Sequence, residues 1–341
     1  MRIVRSLVPL VMALALAGAA SAQSAVEPLS PRETVRVAYV PISKFATLYV
    51  AADRGLFDAY GLDMEINRVA SGTEAIAFLE QGQIDVGGIA IVVSVWNGWA
   101  QGLDLRVIAP GALEPFEDSP TKLMLRADLA DEIGDIADLR GRTVAVAGGP
   151  GSGGEYLAAK ALERGGLTIF DVNLVNVANP DIPLSFESGA IDAAILGSPF
   201  AEQAEASGGA VPFAEDLAPG LMTVAFVGSG RFVQERPEVA RRFALALLEA
   251  SRLMQGDDFL SPANLDAYLT YVPNATVESL RADTRLIFDP DQQIPVDGLA
   301  DVERTHRENG RTAYETPIDL GAVVDPSFMD WALEQLGAYG E

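Results

Sequence analysis

Short apolar runs rich in β-branched residues alternate along this chain with longer stretches that have one apolar face. The runs at residues 35–40, 64–69, 143–147 and 172–177 have the composition and length of β-strands. Apolar residues in the stretches between them recur every three or four positions, which is typical of amphipathic helices. Because strands and helices alternate, we predict an α/β fold with mostly parallel sheets.

One short sequence occurs twice and marks an internal repeat. Residues 79–85 read LEQGQID, residues 186–192 read FESGAID, and each leads into a short apolar run that ends in glycine. Each is also preceded by a strand, a loop, a helical stretch, a Gly-Leu turn and a second strand, in that order. We therefore predict two similar Rossmann-like lobes with a ligand cleft between them, since domain junctions are favoured ligand sites.

The same pattern divides the chain into five parts. We expect a signal peptide at 1–22, a flexible tether at 23–32, the first part of lobe 1 at 33–110, lobe 2 at 111–219, and a return to lobe 1 followed by C-terminal helices at 220–341. Residues 105–109 and 222–227 are the predicted crossover strands of a hinge. Helices are predicted over 45–60, over 71–82, from Ile89 through Trp96, and over 237–254.

The first residues have the features of a secretory signal. Arg2 and Arg5 precede an apolar run at 7–19 that is too short to span a membrane, and residues 20–22 (ASA) form a small-residue cleavage site. We expect cleavage after Ala22 and no membrane insertion of the mature chain. Since there is no cysteine to carry a lipid, a soluble protein of a Gram-negative periplasm is the simplest fit.

Composition excludes several classes of function. A net charge of −24 disfavours binding to nucleic acid or anionic membranes. The absence of cysteine excludes disulfides, thiolate metal sites and cysteine nucleophiles, and the single histidine excludes a multi-histidine metal site. That residue, His306, lies in a polar helical stretch, where we expect a solvated face. We therefore expect neither a bound metal nor a cofactor.

Candidate ligand contacts follow from the expected sheets, because ligands of parallel sheets lie beyond the carboxyl ends of the strands. The rule selects the loops at 41–45, 71–74, 88–91, 148–155 and 197–200. Lys44 could pair with a carboxylate or sulfonate, although a solvated lysine is an equal alternative. Ser71 and Glu74 predict a capping box, whose helix N-terminus could also meet a ligand. Phe45 and Tyr49 could form an aromatic wall.

The segment 148–155, GGPGSGGE, leaves three interpretations open. It lacks the Lys and Ser/Thr of a phosphate-binding loop, but Gly149, Gly151 and Gly154 match the dinucleotide fingerprint, with Asp171 near the distance expected for a ribose contact. The loop could therefore bind NAD in an exported enzyme. It equally suits a general small-molecule contact, since glycine lets backbone N–H groups approach a ligand, or a purely structural turn.

Several short sequences resemble the nitrate/sulfonate/taurine-type solute-binding proteins of ABC importers. They are 51–57 (AADRGLF), 61–65 (GLDME), 71–72 (SG), 82–85 (GQID), 189–194 (GAIDAA), 236–239 (RPEV) and 324–328 (VDPSF). The resemblance covers almost the whole mature chain. It implies a type II periplasmic binding fold, related to thiamine-pyrimidine synthases, in which two lobes close on a ligand and deliver it to a membrane permease.

The resemblance also implies a set of ligand contacts. By position these are Ser43, Lys44, Phe45, Ser71, Thr73, Gly88, Ile89, Ser152 and Gly153, joined by Ser198 and Phe200 beside Pro199. Many relatives have an acidic or aromatic residue where this chain has Ser198. The small neutral side chain leaves the identity of the ligand open.

We therefore expect a monomeric binding protein rather than an enzyme, with ABC permease subunits as its partners. The expected ligand is a small organic anion of the sulfonate, nitrate or carboxylate type. A pyrimidine or other aromatic nutrient precursor is the alternative ligand. An exported NAD-dependent enzyme using Gly149–Gly154 and a sensor that presents its ligand to a membrane kinase are alternatives of other classes.

Overall fold

The computed structural model describes residues 26–69, 71–197, 200–273, 275–282 and 286–340. The predicted signal peptide, residues 23–25 of the tether and Ser198 lie outside these ranges. The described residues form two five-stranded sheets. Their strands are β1 (Glu33–Tyr39), β2 (Leu62–Arg68), β3 (Val86–Ala90), β4 (Leu105–Pro110), β5 (Lys122–Arg126), β6 (Thr143–Val146), β7 (Asn173–Asn176), β8 (Ala193–Leu196), β9 (Ala210–Ala214) and β10 (Val224–Ser229).

The two sheets have the same topology. The strand order is β2-β1-β3-β10-β4 in the first sheet and β7-β6-β8-β5-β9 in the second. In each sheet the fourth strand in this order runs antiparallel to its neighbours, and the other strands share one direction. The chain leaves the first sheet after β4 and re-enters it as β10. The predicted α/β fold of two similar lobes is confirmed.

Helices cover the faces of both sheets. They are α1 (Ala46–Asp53), α2 (Leu56–Ala59), α3 (Gly72–Glu80), α4 (Val93–Ala100), α5 (Gly153–Glu163), α6 (Ile182–Glu187), α7 (Phe200–Ala206), α8 (Gly230–Glu235), α9 (Pro237–Arg252), α10 (Pro262–Tyr271), α11 (Val277–Ala282), α12 (Val296–Glu308), α13 (Leu320–Val323) and α14 (Ser327–Leu336). Short 3-10 turns include Ser43–Phe45, Ile169–Asp171, Asn179–Asp181 and Gly256–Leu260. None of the helices in the described ranges has both the length and the apolar character needed to cross a bilayer.

Two predicted helices are wrong in part. The helix expected over 45–60 is two helices, because Gly55 has a φ of 68° that ends α1 and begins α2. Ile89 belongs to β3, where it pairs with Ala225 of β10, and the helix carrying Trp96 and Trp99 begins only at Val93. A continuous apolar run suits a buried strand as well as a buried helix, so the distant partner β10 decides between them.

Each sheet is buried on both faces, as expected for α/β layers. In β1, Val37 and Tyr39 face the cluster that contains α9, and Ala38 faces the cluster of α3 and α4. The second sheet follows the same rule, with Val144 and Val146 of β6 on one face and Ala145 on the other. The carboxyl ends of the strands are therefore the edges left for a ligand.

Candidate ligand-binding site

A cavity of about 390 Å³ lies between residues of the two sheets, within the usual size range of small-molecule sites. Ser43 borders it from the loop after β1. The second sheet contributes residues from the end of β8 and from the loops after β6 and β7. Residues just before β5 also line the cavity, because β5 runs antiparallel to β8 and therefore begins at the edge where β8 ends. The lining residues are Ser43, Pro120, Thr121, Ala147, Gly154, Leu157, Asn179, Ile195, Gly197, Phe259, Leu260, Tyr268, Leu280 and Leu286.

The glycine-rich loop brings the N-terminus of α5 to this cavity. The Ser152 hydroxyl caps α5 by accepting a hydrogen bond from Glu155 N at 3.2 Å and donates to Ala147 O at 3.1 Å. A Cβ at Gly154 would lie 2.8 Å from Ala147 O, so only glycine permits this tight turn. The first turn of a helix carries N–H groups without intrahelical partners, and its dipole favours negative charge.

The glycine-rich loop also touches the first lobe. Gly151 has a φ of 76°, and a Cβ there would lie 2.8 Å from Val93 Cγ2 at the start of α4. Loop and helix are thus in close contact beside the cavity.

The lysine predicted to bind an anion has a partner within the protein. Lys44 Nζ donates to Glu114 Oε1 and, at 2.8 Å, to Thr223 Oγ1. Its side chain is 27% exposed, whereas that of Glu114 is only 13% exposed. The carboxylate thus balances the ammonium charge, and Lys44 is not among the cavity-lining residues.

Three other predicted contacts are buried in the first lobe. Phe45 and Ile89 have no exposed surface, and the ring of Phe45 packs edge-on against Phe226 at 5.4 Å between centroids. A Cβ at Gly88 would lie 3.2 Å from the Phe45 ring, so glycine here makes room for that ring. In this structure these three residues belong to the buried interior of the first lobe and are not among the residues that line the cavity.

The remaining predicted residues lie at helix starts. Ser71 is exposed and caps α3 by accepting from Glu74 N at 3.3 Å, and Thr73 is exposed on the first turn. Gly153 is the exposed first residue of α5, next to the lining residue Gly154. Phe200, at the start of α7, packs against the apolar cluster of α6 and α7. The structure thus brings Ser43 and the N-terminus of α5 together at the cavity.

Sequence reasoning missed an entire wall of the cavity. Five of its residues follow β10, on or near α10 and α11: Phe259, Leu260, Tyr268, Leu280 and Leu286. Nothing in an amphipathic helical pattern says which part of the apolar face meets a cavity. Thr121 and Asn179 were also missed, although Asn179 follows β7 and the strand-end rule could have selected it.

The structure contradicts the predicted ribose contact at Asp171. The glycine-rich loop follows the carboxyl end of β6, but Asp171 precedes β7, which runs parallel to β6 and pairs Thr143 with Asn173. Asp171 therefore lies at the opposite edge of the sheet. Its carboxylate accepts hydrogen bonds from Thr168 and Arg140, and the Thr168 backbone and hydroxyl groups lower its pKa.

The prediction of a solvated His306 is also wrong, since its side chain is 1% exposed. It lies where α12 packs against α5, with its ring 6.2 Å from that of Tyr156. The fully buried Glu155 forms an ion pair with Arg311 at 2.8 Å, which satisfies this otherwise costly carboxylate. Burial lowers the pKa of His306 below its ordinary value, and the Glu155 charge opposes this shift.

The chain matches the sequence profile of the NMT1-like family over residues 29–268. A binding protein of Brucella abortus (strain 2308) is 25% identical over 213 residues, which are 59% of this chain and 60% of that protein. The chain thus spans only about 60% of the length of the Brucella relatives it matches. The riboflavin-binding protein RibY of Chloroflexus aurantiacus is 24% identical over 272 residues, which are 76% of this chain and 72% of RibY.

Solved structures share the same architecture. A periplasmic sulfonate-binding protein, SsuA of Methylobacillus flagellatus KT, aligns over 91% of this chain and 96% of its own, with a TM-score of 0.70 and 18% identity. The desulfurization enzyme DszB aligns over 89% of this chain and 99% of its own, with a TM-score of 0.58 and 19% identity. At these identities the likeness is one of fold, and the fold serves both a binding protein and an enzyme.

Proposed function

Because the chain belongs to the NMT1-like family, we propose that it is the solute-binding protein of an ABC-type importer. In this proposal the N-terminal signal directs it to the periplasm, where it captures a small organic solute between its lobes and delivers it to a membrane permease. The observation that carries the proposal is the cavity whose walls come from both sheets, with Ser43 on one side and Thr121, Asn179 and Gly197 on the other. Ligand contacts on both sides would favour the closed arrangement of the lobes, since only differential contacts shift a conformational equilibrium.

The proposed solute is an organic anion. The N-terminus of α5 favours negative charge, and Thr121 and Asn179 add hydrogen-bonding groups to the same wall. Lys44 contributes less than its charge suggests, because Glu114 already compensates it. An aromatic nutrient precursor is the alternative, which the apolar residues of the other wall favour.

Calorimetric titration of the mature protein tests the binding step. The panel contains alkanesulfonates, aromatic carboxylates, nitrate, pyrimidines, riboflavin and NAD. We expect a one-to-one ligand whose affinity falls at least tenfold in Asn179→Ala, which removes a cavity-lining amide, but not in Asn173→Ala on the same lobe. Saturable binding of NAD with turnover of a substrate would instead favour the enzyme.

A reconstituted transport assay tests delivery. The permease and ATPase of a candidate partner importer, purified and reconstituted in proteoliposomes, should hydrolyse ATP faster when the ligand-loaded protein is added. Stimulation of a membrane kinase without solute uptake would assign the protein to sensing and contradict transport.

A further inference from the structure

Helices α5 and α12 belong to different lobes but pack against each other. Ala158 and Leu162 of α5 lie in the apolar cluster that covers one face of the second sheet. Leu299 and Val302 of α12 lie in a cluster of the first lobe, together with residues of β3 and β4. We call the packing of α5 on α12, with Arg311 just after α12, the α5–α12 contact. Side chains alone connect the lobes there.

Both lobes supply charges to the α5–α12 contact. The fully buried Glu155 of α5 pairs with Arg311, at 2.8 Å between Oε2 and Nη2. The Tyr156 hydroxyl and Lys160 Nζ, also from α5, donate to the Asp301 carboxylate at 2.7 Å and 3.2 Å. Sliding of one helix along the other would leave the Glu155 carboxylate buried without its partner, which is strongly unfavourable.

Apolar burial opposes separation of the two helices. Tyr156 is 4% exposed and lies in the apolar cluster of the first lobe, although α5 covers the second sheet. Leu157 packs against clusters of both lobes. His306 of α12 is buried, with its ring 6.2 Å from that of Tyr156. Pulling the helices apart would return these side chains to water, so we expect the contact to stay assembled.

The α5–α12 contact lies beside the segments in which the chain crosses between the sheets, at 111–121 and 215–223. These segments are hydrogen-bonded to each other, from Glu114 N to Leu221 O at 2.9 Å. Residues of both segments line a cavity of about 460 Å³ together with residues of α5 and α12. Points near a rotation axis move least, so a contact beside the crossover segments can persist while the lobes rotate.

We propose that the α5–α12 contact is a non-covalent part of the hinge, which stays assembled during lobe rotation and limits the ligand-free protein to a narrow range of lobe arrangements. Helix α5 thereby connects the ligand cavity to the hinge, because its N-terminus borders the former and its body is held at the latter. This inference goes beyond the proposed function, since it concerns the ligand-free protein and holds whatever the cavity binds.

Electron–electron double resonance between nitroxide labels tests the proposal, and the absence of native cysteine makes the labelling specific. Ala137→Cys/Ala300→Cys reports on the contact, since Ala137 lies beside the end of α5 and Ala300 is on α12. Ala59→Cys/Ala206→Cys reports far from it, on helices α2 and α7, which cover the opposite faces of the two sheets. All four positions are exposed. In the ligand-free protein we expect a single narrow distance distribution for the first pair and a broader one for the second.

Asp301→Ala removes the acceptor that Tyr156 and Lys160 share, and it should broaden both distance distributions or add a second peak. Arg126→Met is the matched control, because Arg126 pairs with Asp192 inside the second lobe and the two side chains are 16% and 18% exposed. This control should lose stability but keep the wild-type distributions.

The double variant Arg311→Met/Glu155→Gln removes the other ion pair without leaving an unpaired charge, so it gives a second reading if Asp301→Ala does not fold. Circular dichroism identifies the folded variants. Two separate distances for the contact pair in the wild type, or wild-type distributions in every folded variant of the contact, overturn the inference. Equal broadening in Arg126→Met also overturns it, because the effect would then follow from lost stability. The proposed function is tested independently, by the titrations and the transport assay.

Discussion

Lys44 and Glu114 form an ion pair that joins the loop after β1 to the segment after β4. We expect Lys44→Met to lower the free energy of unfolding by about 1–3 kcal/mol, because it leaves a mostly buried carboxylate without its partner. Urea denaturation at pH 7.5 measures the change, and the double variant Lys44→Met/Glu114→Gln should recover most of it.

Lys122→Met is the matched control for this prediction. Lys122 and Lys44 are almost equally exposed, at 26% and 27%, but Glu215, which pairs with Lys122, is 48% exposed where Glu114 is 13% exposed. Exposed ion pairs contribute little, so the control should lose less than about 1 kcal/mol. Equal losses in the two variants would show that burial of the carboxylate is not the cause.

His306 predicts a pH dependence of stability. Its pKa in the folded protein is lowered from 6.5, mainly by burial, with Glu155 raising it and Arg311 lowering it. Above pH 6.5 the His306 imidazole is mostly neutral in both the folded and the unfolded protein. Below it the unfolded chain binds a proton that the folded chain does not, so stability falls as the pH falls, by up to about 1.4 kcal/mol per pH unit.

Comparison of wild type with His306→Phe isolates this contribution from that of the carboxylates. Between pH 7.5 and 5.5, the free energy of unfolding should fall more in the wild type than in the variant. Parallel curves for the two proteins would mean that His306 takes up its proton equally in both states.

At the scale of elements, the α5 N-cap has two separable effects. Ser152→Ala should lower the free energy of unfolding by about 1 kcal/mol, the usual value for a lost N-cap, and should also weaken ligand binding. Ser229→Ala removes the N-cap of α8, which does not border the cavity, so it should affect stability alone. Thermal melts measure the stability of both variants, and calorimetric titrations measure their affinity for the ligand. Unchanged affinity in Ser152→Ala would show that the N-cap does not contribute to ligand binding.

Elements with local sequence signals could be predicted from the sequence. The strand at 35–40 and the helix after Ser71 lie close to their predicted positions, because β-branched runs and helix caps act over a few residues. Ile89 was assigned to the wrong element because β10, its partner strand, lies more than a hundred residues away. The apolar cavity wall was missed for the same reason, since only tertiary packing brings Leu260 and Leu280 to the second lobe.

At the scale of the whole molecule, α5 and the segment around α12 are joined by buried charge. Glu155 is fully buried and pairs with Arg311, while Tyr156 and Lys160 donate to Asp301. Arg311→Met should lower the free energy of unfolding by about 3–5 kcal/mol, because it leaves an uncompensated buried carboxylate. The double variant Arg311→Met/Glu155→Gln should recover a large part of the lost free energy of unfolding. Chemical denaturation of both variants measures this recovery. No recovery in the double variant would assign the loss to packing rather than charge.

The position of β10 has a consequence for biosynthesis. It lies between β3 and β4, yet it follows all five strands of the second sheet in the chain. Until Ser229 has emerged into the compartment where the chain folds, β3 and β4 lack the strand that joins them, whereas the second sheet has every strand once Ala214 has emerged. A chain that emerges from its N-terminal end can therefore complete the inserted second sheet while the first sheet still has open strand edges. We expect a chain stalled at this point to aggregate through those edges.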